Sequence, residues 1–284
     1  MAAGILVIAA SILFLSLPAM AADDSITIKG SDTMVNLGQA WAEAFMQDHP
    51  ATLIAVTGGG SGTGIAALLS GTCTIAQSSR HMSQKEYEFA AQKNISIKEI
   101  ETAVDAIVFA VHPDNPVQQL TIEQLSDIFT RKTVNWKEVG GSEEPILVLS
   151  RERNSGTHVY VLEEVVRKGK KEGTEEFAPS VLMMPSSQAI EQEIATNRTA
   201  IGYFGLGYLS SRVKALRIFQ AKTGEFVAPD LEHAMDKTYP ISRPLLFYLP
   251  GEAQGMVKEF VDFVLSEKGQ TIVREMDFVP LTTE

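Results

Sequence analysis

The stretch Ser150-Arg-Glu-Arg-Asn-Ser-Gly-Thr157 gathers groups that can hold an anion. Arg151 and Arg153 offer forked cationic donors. Ser155 and Thr157 add hydroxyls, and Gly156 lets a ligand come close to the backbone N–H groups. An apolar run, Pro145–Leu149, precedes the stretch and reads as a buried strand. Val159, Leu162, Val165 and Val166 predict a helix over His158–Lys168 after it. A polar turn between strand and helix aims free N–H groups at an anion. Taken alone, Asn154-Ser-Gly fits a plain capped turn equally well.

Three further turns repeat the design. The alternating strand Ser25–Lys29 leads into Gly30-Ser31-Asp32-Thr33 and a helix over Met34–Gln47. Ser31, Asp32 and Thr33 form an N-cap cluster, and a cap and an anion site share the same free donors. The strand Leu53–Val56 leads into Gly58-Gly-Gly-Ser-Gly-Thr-Gly64 and a short helix, Ile65–Leu69. That glycine stretch lacks the Gly-Lys-Ser/Thr of a P-loop, a G-x-G-x-x-G and a G-x-S-x-G elbow. It reads as a nest of N–H groups, with Ser61 and Thr63 as extra donors. Thr74–Ala76 is a third strand, followed by Ser78-Ser79-Arg80 and a capping box, Ser83 to Glu86.

Strands alternating with helices predict an α/β fold with a parallel sheet, whose ligands sit beyond the carboxyl ends of strands. Val104–Val111 and Ala200–Phe204 read as strands, and Ser187–Thr196 as a helix. A capping box, Thr121 to Gln124, opens a helix to Phe129. Thr223-Gly224 reads as a hairpin turn, Ile241–Leu249 as a strand and Ala253–Met276 as one last helix.

A chain of 284 residues can build two modest domains. Its net charge of −11 argues against nucleic acid or an acidic membrane as partner. An anion must therefore be caught by local dipoles and a few arginines. Cys73 is the only cysteine, which excludes an intrachain disulfide and predicts a small buried side chain. The histidines show no ligand spacing, so no metal or cofactor is expected. The apolar run Ile5–Leu17 and Ala19-Met-Ala21 predict a secretory signal over residues 1–21, cut after Ala21 or Ala22; an uncleaved anchor is the alternative. A nucleophilic enzyme needs a base beside its nucleophile, and His158 is the one weak candidate, with Ser155 or Ser61 as nucleophile. Many neutral donors with one or two arginines fit reversible anion binding better, so a binding protein is expected rather than an enzyme.

In combination and order, Gly30-Ser-Asp-Thr-Met34, Gly58–Gly64, Ser78-Ser-Arg80, Arg151–Thr157 and Ala200-Ile-Gly-Tyr-Phe-Gly205 resemble the phosphate-binding proteins of bacterial phosphate ABC importers, the PstS-like family. Tyr239–Pro244 is similar to the family's return crossover. The resemblance implies a type II periplasmic-binding-protein fold of two lobes joined by crossover strands near Val108–His112 and Ser242–Leu249. Lobe I would comprise 24–110 plus 246–284, and lobe II 112–243. It implies a periplasmic monomer that binds inorganic phosphate between the lobes and delivers it to a membrane permease. By motif, Asp32, Thr33, Ser61, Arg151, Ser155, Gly156 and Thr157 match the family's phosphate contacts. The family's usual aspartate, which accepts the phosphate proton and so rejects sulfate, is replaced here by Ser79. Asp32 or Asp105 would have to take that role, or the ligand is another oxyanion such as sulfate or molybdate. Arg80 is expected either to touch the anion or to pair with Asp105.

Overall fold

The computed structural model describes residues 25–170 and 172–281; the predicted signal and its cleavage site lie outside them. The strands are β1 (Ser25–Gly30), β2 (Leu53–Thr57), β3 (Ile75–Ser78), β4 (Lys98–Val111), β5 (Gln119–Leu120), β6 (Leu147–Arg151), β7 (Leu182–Met184), β8 (Ala200–Gly205), β9 (Lys214–Ala215), β10 (Arg217–Gln220), β11 (Glu225–Val227) and β12 (Ser242–Leu249). The helices are α1 (Val35–Asp48), α2 (Ser61–Leu69), α3 (Gln84–Gln92), α4 (Ile122–Phe129), α5 (Gly156–Val161), α6 (Ser187–Thr196), α7 (Leu231–Met235), α8 (Gly255–Leu265) and α9 (Glu267–Glu275).

The main sheet runs β2-β1-β3-β12-β4-β8-β6-β7, with β9 also on β4. It is mixed rather than parallel. The expected parallel pairs form at β1–β2, β1–β3 and β6–β8, but β12 is antiparallel to β3 and β4, and β4 is antiparallel to β8. The long strand β4 is the cause. Its first part, to Ala106, pairs with β12; from Ile107 it pairs with β8.

Burial changes hands at the same place. Ala103 packs with Ile26, Ile28, Trp41, Phe45, Phe247 and Phe260, whereas Ala106–Val111 pack with Phe129, Val148, Ile201 and Phe204. The result is an α/β molecule of two lobes, each with its own core, sharing β4. The C-terminal helices return to the first core, where Trp41 Nε1 donates to the Gly269 carbonyl at 2.9 Å. Cys73 is buried as expected, and burial pushes its thiol up to about 11.

Local chemistry set most element ends. Both predicted capping boxes are present, Ser83 with Glu86 and Thr121 with Gln124. Three helices differ from expectation. Ser61 already starts α2, so much of the predicted nest is the first helical turn. The helix predicted over His158–Lys168 begins at Gly156 behind the cap Ser155, widens to a π-turn over Leu162–Val166 and stops there. The last helix is two, because Ser266 accepts from the Gly269 N–H and caps α9.

Candidate functional site: a hydroxyl and arginine cage between the lobes

The carboxyl ends of β1, β3 and β6 and the starts of α2 and α5 meet where the two cores face one another. Ser31, Ser61, Ser79, Ser155 and Thr157 are all buried there. Ser31 Oγ donates to Ser79 Oγ at 2.9 Å, the Ser79 N–H donates to Ser61 Oγ at 3.1 Å, and the Ser61 and Ser79 hydroxyls are 3.4 Å apart. Across the interface Thr33 Oγ1 and Thr157 Oγ1 are 3.0 Å apart. Gly156 closes the ring. A Cβ at that position would lie 2.4 Å from Ser61 Oγ and 2.7 Å from Ser79 Oγ, so no larger residue fits.

Two buried arginines stand in this ring. The Arg151 guanidinium donates from Nη1 to Ser187 Oγ at 3.1 Å and from Nη2 to the Pro185 carbonyl at 3.0 Å. Nη1 is also 3.1 Å from Asp32 Oδ2, which accepts the Ser187 N–H at 2.9 Å. The Arg151 Nε is buried and has no hydrogen-bond partner. Leaving a charged donor unmatched costs free energy, and an acceptor such as an anion oxygen would satisfy it.

Arg243 was not singled out by the sequence, yet it lies at the centre. Its Nη2 donates to Thr33 Oγ1 at 3.2 Å and Thr157 Oγ1 at 2.9 Å, and its Nη1 to the Ser79 carbonyl at 3.0 Å. Nε and Nη2 bind Asp105 Oδ2 at 3.1 and 2.9 Å. The two residues face each other in the β4–β12 register. The available signal was an arginine inside the apolar run Ile241–Leu249, a position where a charge needs a buried partner.

Asp105 is therefore engaged by Arg243, and the expected pairing with Arg80 does not form. Its Oδ1 accepts the Leu206 N–H at 3.1 Å, so both oxygens are occupied. Burial pushes the Asp105 carboxyl up, while Arg243 and the Leu206 N–H pull it down. Arg80 instead holds Glu86 through Nη1 and Nη2 at 2.8 and 2.7 Å, tied to the capping box of α3. Arg153 is exposed and takes no part in the cage.

The hydrolase arrangement is not assembled. The Ser155 hydroxyl accepts the His158 N–H as a helix cap, and His158 Nδ1 lies 3.2 Å from Ser150 Oγ rather than beside Ser155 or Ser61. Ser150 is itself buried against the Tyr203 hydroxyl at 2.6 Å. Burial lowers the imidazole of His158 to about 4, which leaves it neutral. Among the described residues no cluster of three His, Cys, Asp or Glu could hold a metal, and no helix is long and apolar enough to cross a membrane.

Comparison with known proteins agrees with this geometry. A family profile described as a PBP superfamily domain matches residues 18–268. The phosphate-binding protein PstS of Bacillus subtilis is 34% identical, over 92% of this chain and 82% of its own. That of Pseudomonas aeruginosa is 32% identical, over 89% and 81%. A solved structure from Clostridium perfringens, of a protein assigned as a phosphate ABC transporter substrate-binding protein and holding bound phosphate, superposes with a TM-score of 0.81 at 34% identity, covering 91% of this chain and 100% of that one. An ABC-type phosphate transport receptor from Vibrio cholerae gives 0.70 at 31% identity, covering 90% and 99%. With this similarity covering about nine-tenths of its length, the chain belongs to the PstS family of phosphate-binding proteins.

Proposed function

We propose that the chain binds inorganic phosphate reversibly between its lobes and delivers it to the membrane permease of a phosphate ABC importer. The observation that carries this reading is the buried, unpartnered Arg151 Nε, on an arginine that pairs across the same interface where hydroxyls of the two cores meet. Three arginines approach the site, and each is paired with a carboxylate: Arg151 with Asp32, Arg243 with Asp105 and Arg80 with Glu86. The fixed charges cancel, so the anion is held by hydrogen bonds and oriented dipoles rather than by excess positive charge. That suits capture followed by release. Ser31, Thr33, Ser61, Ser79, Arg80, Arg151, Ser155, Gly156 and Thr157 line the anion in this reading, Arg80 through an Nε that is likewise buried and unpartnered.

Asp32 takes the phosphate proton. Its Oδ2 is engaged, whereas its Oδ1 makes no hydrogen bond among the described residues and the side chain is 19% exposed. Asp105 has no oxygen to spare. A fully ionised sulfate facing the Asp32 carboxylate meets repulsion instead of a hydrogen bond. The lobes of the proposal are 24–110 with 246–284, and 112–243, although Ala106–Ala110 and Val279 pack into the core of the second. Their closing is the signal read by the permease. The protein acts as a monomer outside the cytoplasmic membrane, exported by a signal that ends near Ala21.

A second reading keeps the site and changes the oxyanion to sulfate or molybdate. Ser79 favours it, because a hydroxyl stands where an aspartate would reject such ligands. Competition separates the two. Phosphate binding that survives a large excess of sulfate and molybdate supports the phosphate reading; displacement by either supports the second.

A further inference from the structure

At the rim of the cage, the exposed Asn154 reaches from the second lobe to the glycine stretch of the first. Its Nδ2 donates to the Gly59 carbonyl at 2.8 Å and to Thr63 Oγ1 at 3.2 Å. Its own carbonyl accepts the Gly62 N–H at 3.0 Å. Gly60 makes room for this contact. Its φ is +91°, and a Cβ there would lie 2.7 Å from the Asn154 carbonyl oxygen. Asn154 makes no hydrogen bond to Ser31, Ser61, Ser79, Arg151 or Arg243.

We propose that Asn154 is a positioning residue, a latch whose three hydrogen bonds form only when the lobes close and which sets how long the anion stays. The proposal rests on the phosphate reading for its ligand. An anion first meets the open site and the latch forms afterwards, so the latch slows departure without speeding arrival. It touches no part of the anion, so it favours every bound oxyanion alike. The glycines of this stretch thereby have a second use besides the first turn of α2: they present two carbonyl and amide groups and a clear space to one asparagine of the other lobe.

The test is rapid-mixing release of phosphate from the wild-type protein, Asn154→Ala and Gly60→Ala. Loss of two exposed hydrogen bonds predicts dissociation about tenfold faster in Asn154→Ala. Association, the ratio of phosphate to arsenate affinity and the melting temperature of the anion-free protein stay at wild-type values. Gly60→Ala raises dissociation at least as much, and adding Asn154→Ala to it has little further effect, since both break one contact. A wild-type release rate in Asn154→Ala, or a changed anion ratio, overturns the latch. Hydrogen exchange at the Gly62 amide separates this failure from failure of the phosphate reading. Protection in the wild type that is lost in Gly60→Ala supports the latch whichever anion is bound; a freely exchanging wild-type amide overturns it.

Discussion

Two buried arginine–carboxylate pairs sit within one cage, and they are built for different work. Arg243 and Asp105 are both fully buried, and every nitrogen of the guanidinium has a protein acceptor. Arg151 and Asp32 are left incomplete: the Arg151 Nε has no partner and Asp32 is partly open to solvent. A saturated pair has nothing left to offer a ligand. It fixes where Thr33, Thr157 and Ser79 stand. An incomplete pair keeps one donor and one acceptor, which are the two things a protonated phosphate needs. The comparison teaches that charge alone does not separate these arginines; the unfilled hydrogen-bond valence does, and it singles out Arg151 together with Arg80, whose Nε is also buried and unpartnered.

The largest expected effect comes from breaking the saturated pair. Arg243→Met leaves Asp105 buried and unpaired, and we expect a loss of about 3–5 kcal/mol of stability, read by chemical denaturation. Adding Asp105→Asn should recover part of it. A protein of unchanged stability would mean that the pair is not the structural keystone. The incomplete pair answers differently. Asp32→Asn should leave the fold intact and lower the ratio of phosphate to sulfate affinity by about tenfold or more, because a hydrogen bond to a charged group is worth roughly 1.5–3 kcal/mol. Asp105→Asn should leave that ratio alone. The opposite assignment of the ratio change would exchange the roles of the two carboxylates. Ser61→Ala removes one neutral donor, and calorimetry should show phosphate weakened only about fivefold.

The smallest effect lies behind the cage. The imidazole of His158 is held neutral by burial, with its pKa lowered to about 4 from the ordinary histidine value of 6.5. The unfolded chain therefore takes up a proton before the native one does. Stability from this group is fully present above about pH 6.5 and is lost as pH falls from there to about 4. Thermal melts should fall over that window in the wild type and fall less in His158→Gln. Identical pH profiles would remove His158 from the account.

Much of the site could be read from the chain because its parts are local. Thr33, Ser61, Ser79, Ser155, Gly156 and Thr157 each lie in a turn between a strand and a helix, and strand ends in an α/β sheet converge. The element ends that depended on caps were equally legible at Ser83 and Thr121. What escaped was long-range. Arg243 looks like one residue of an apolar strand until the antiparallel register places it against Asp105. The reversal of β12, which makes the sheet mixed, comes from the same distant pairing. Glycine's poor helix propensity hid the start of α2, since packing against β1 and β3 outweighs a local cost of about 1 kcal/mol per glycine. The expected pairing of Arg80 with Asp105 failed for a nearer reason: Glu86, in the capping box of the next helix, takes its Nη1 and Nη2.

The most direct test is calorimetric titration of the anion-stripped mature protein and of Arg151→Ala with phosphate. The account predicts one tight site per wild-type chain and a weakening of about tenfold or more in Arg151→Ala, from the loss of a charge-assisted bond worth roughly 1.5–3 kcal/mol. Equal affinity in the two proteins would contradict the assignment of the unpartnered Arg151 Nε to the anion.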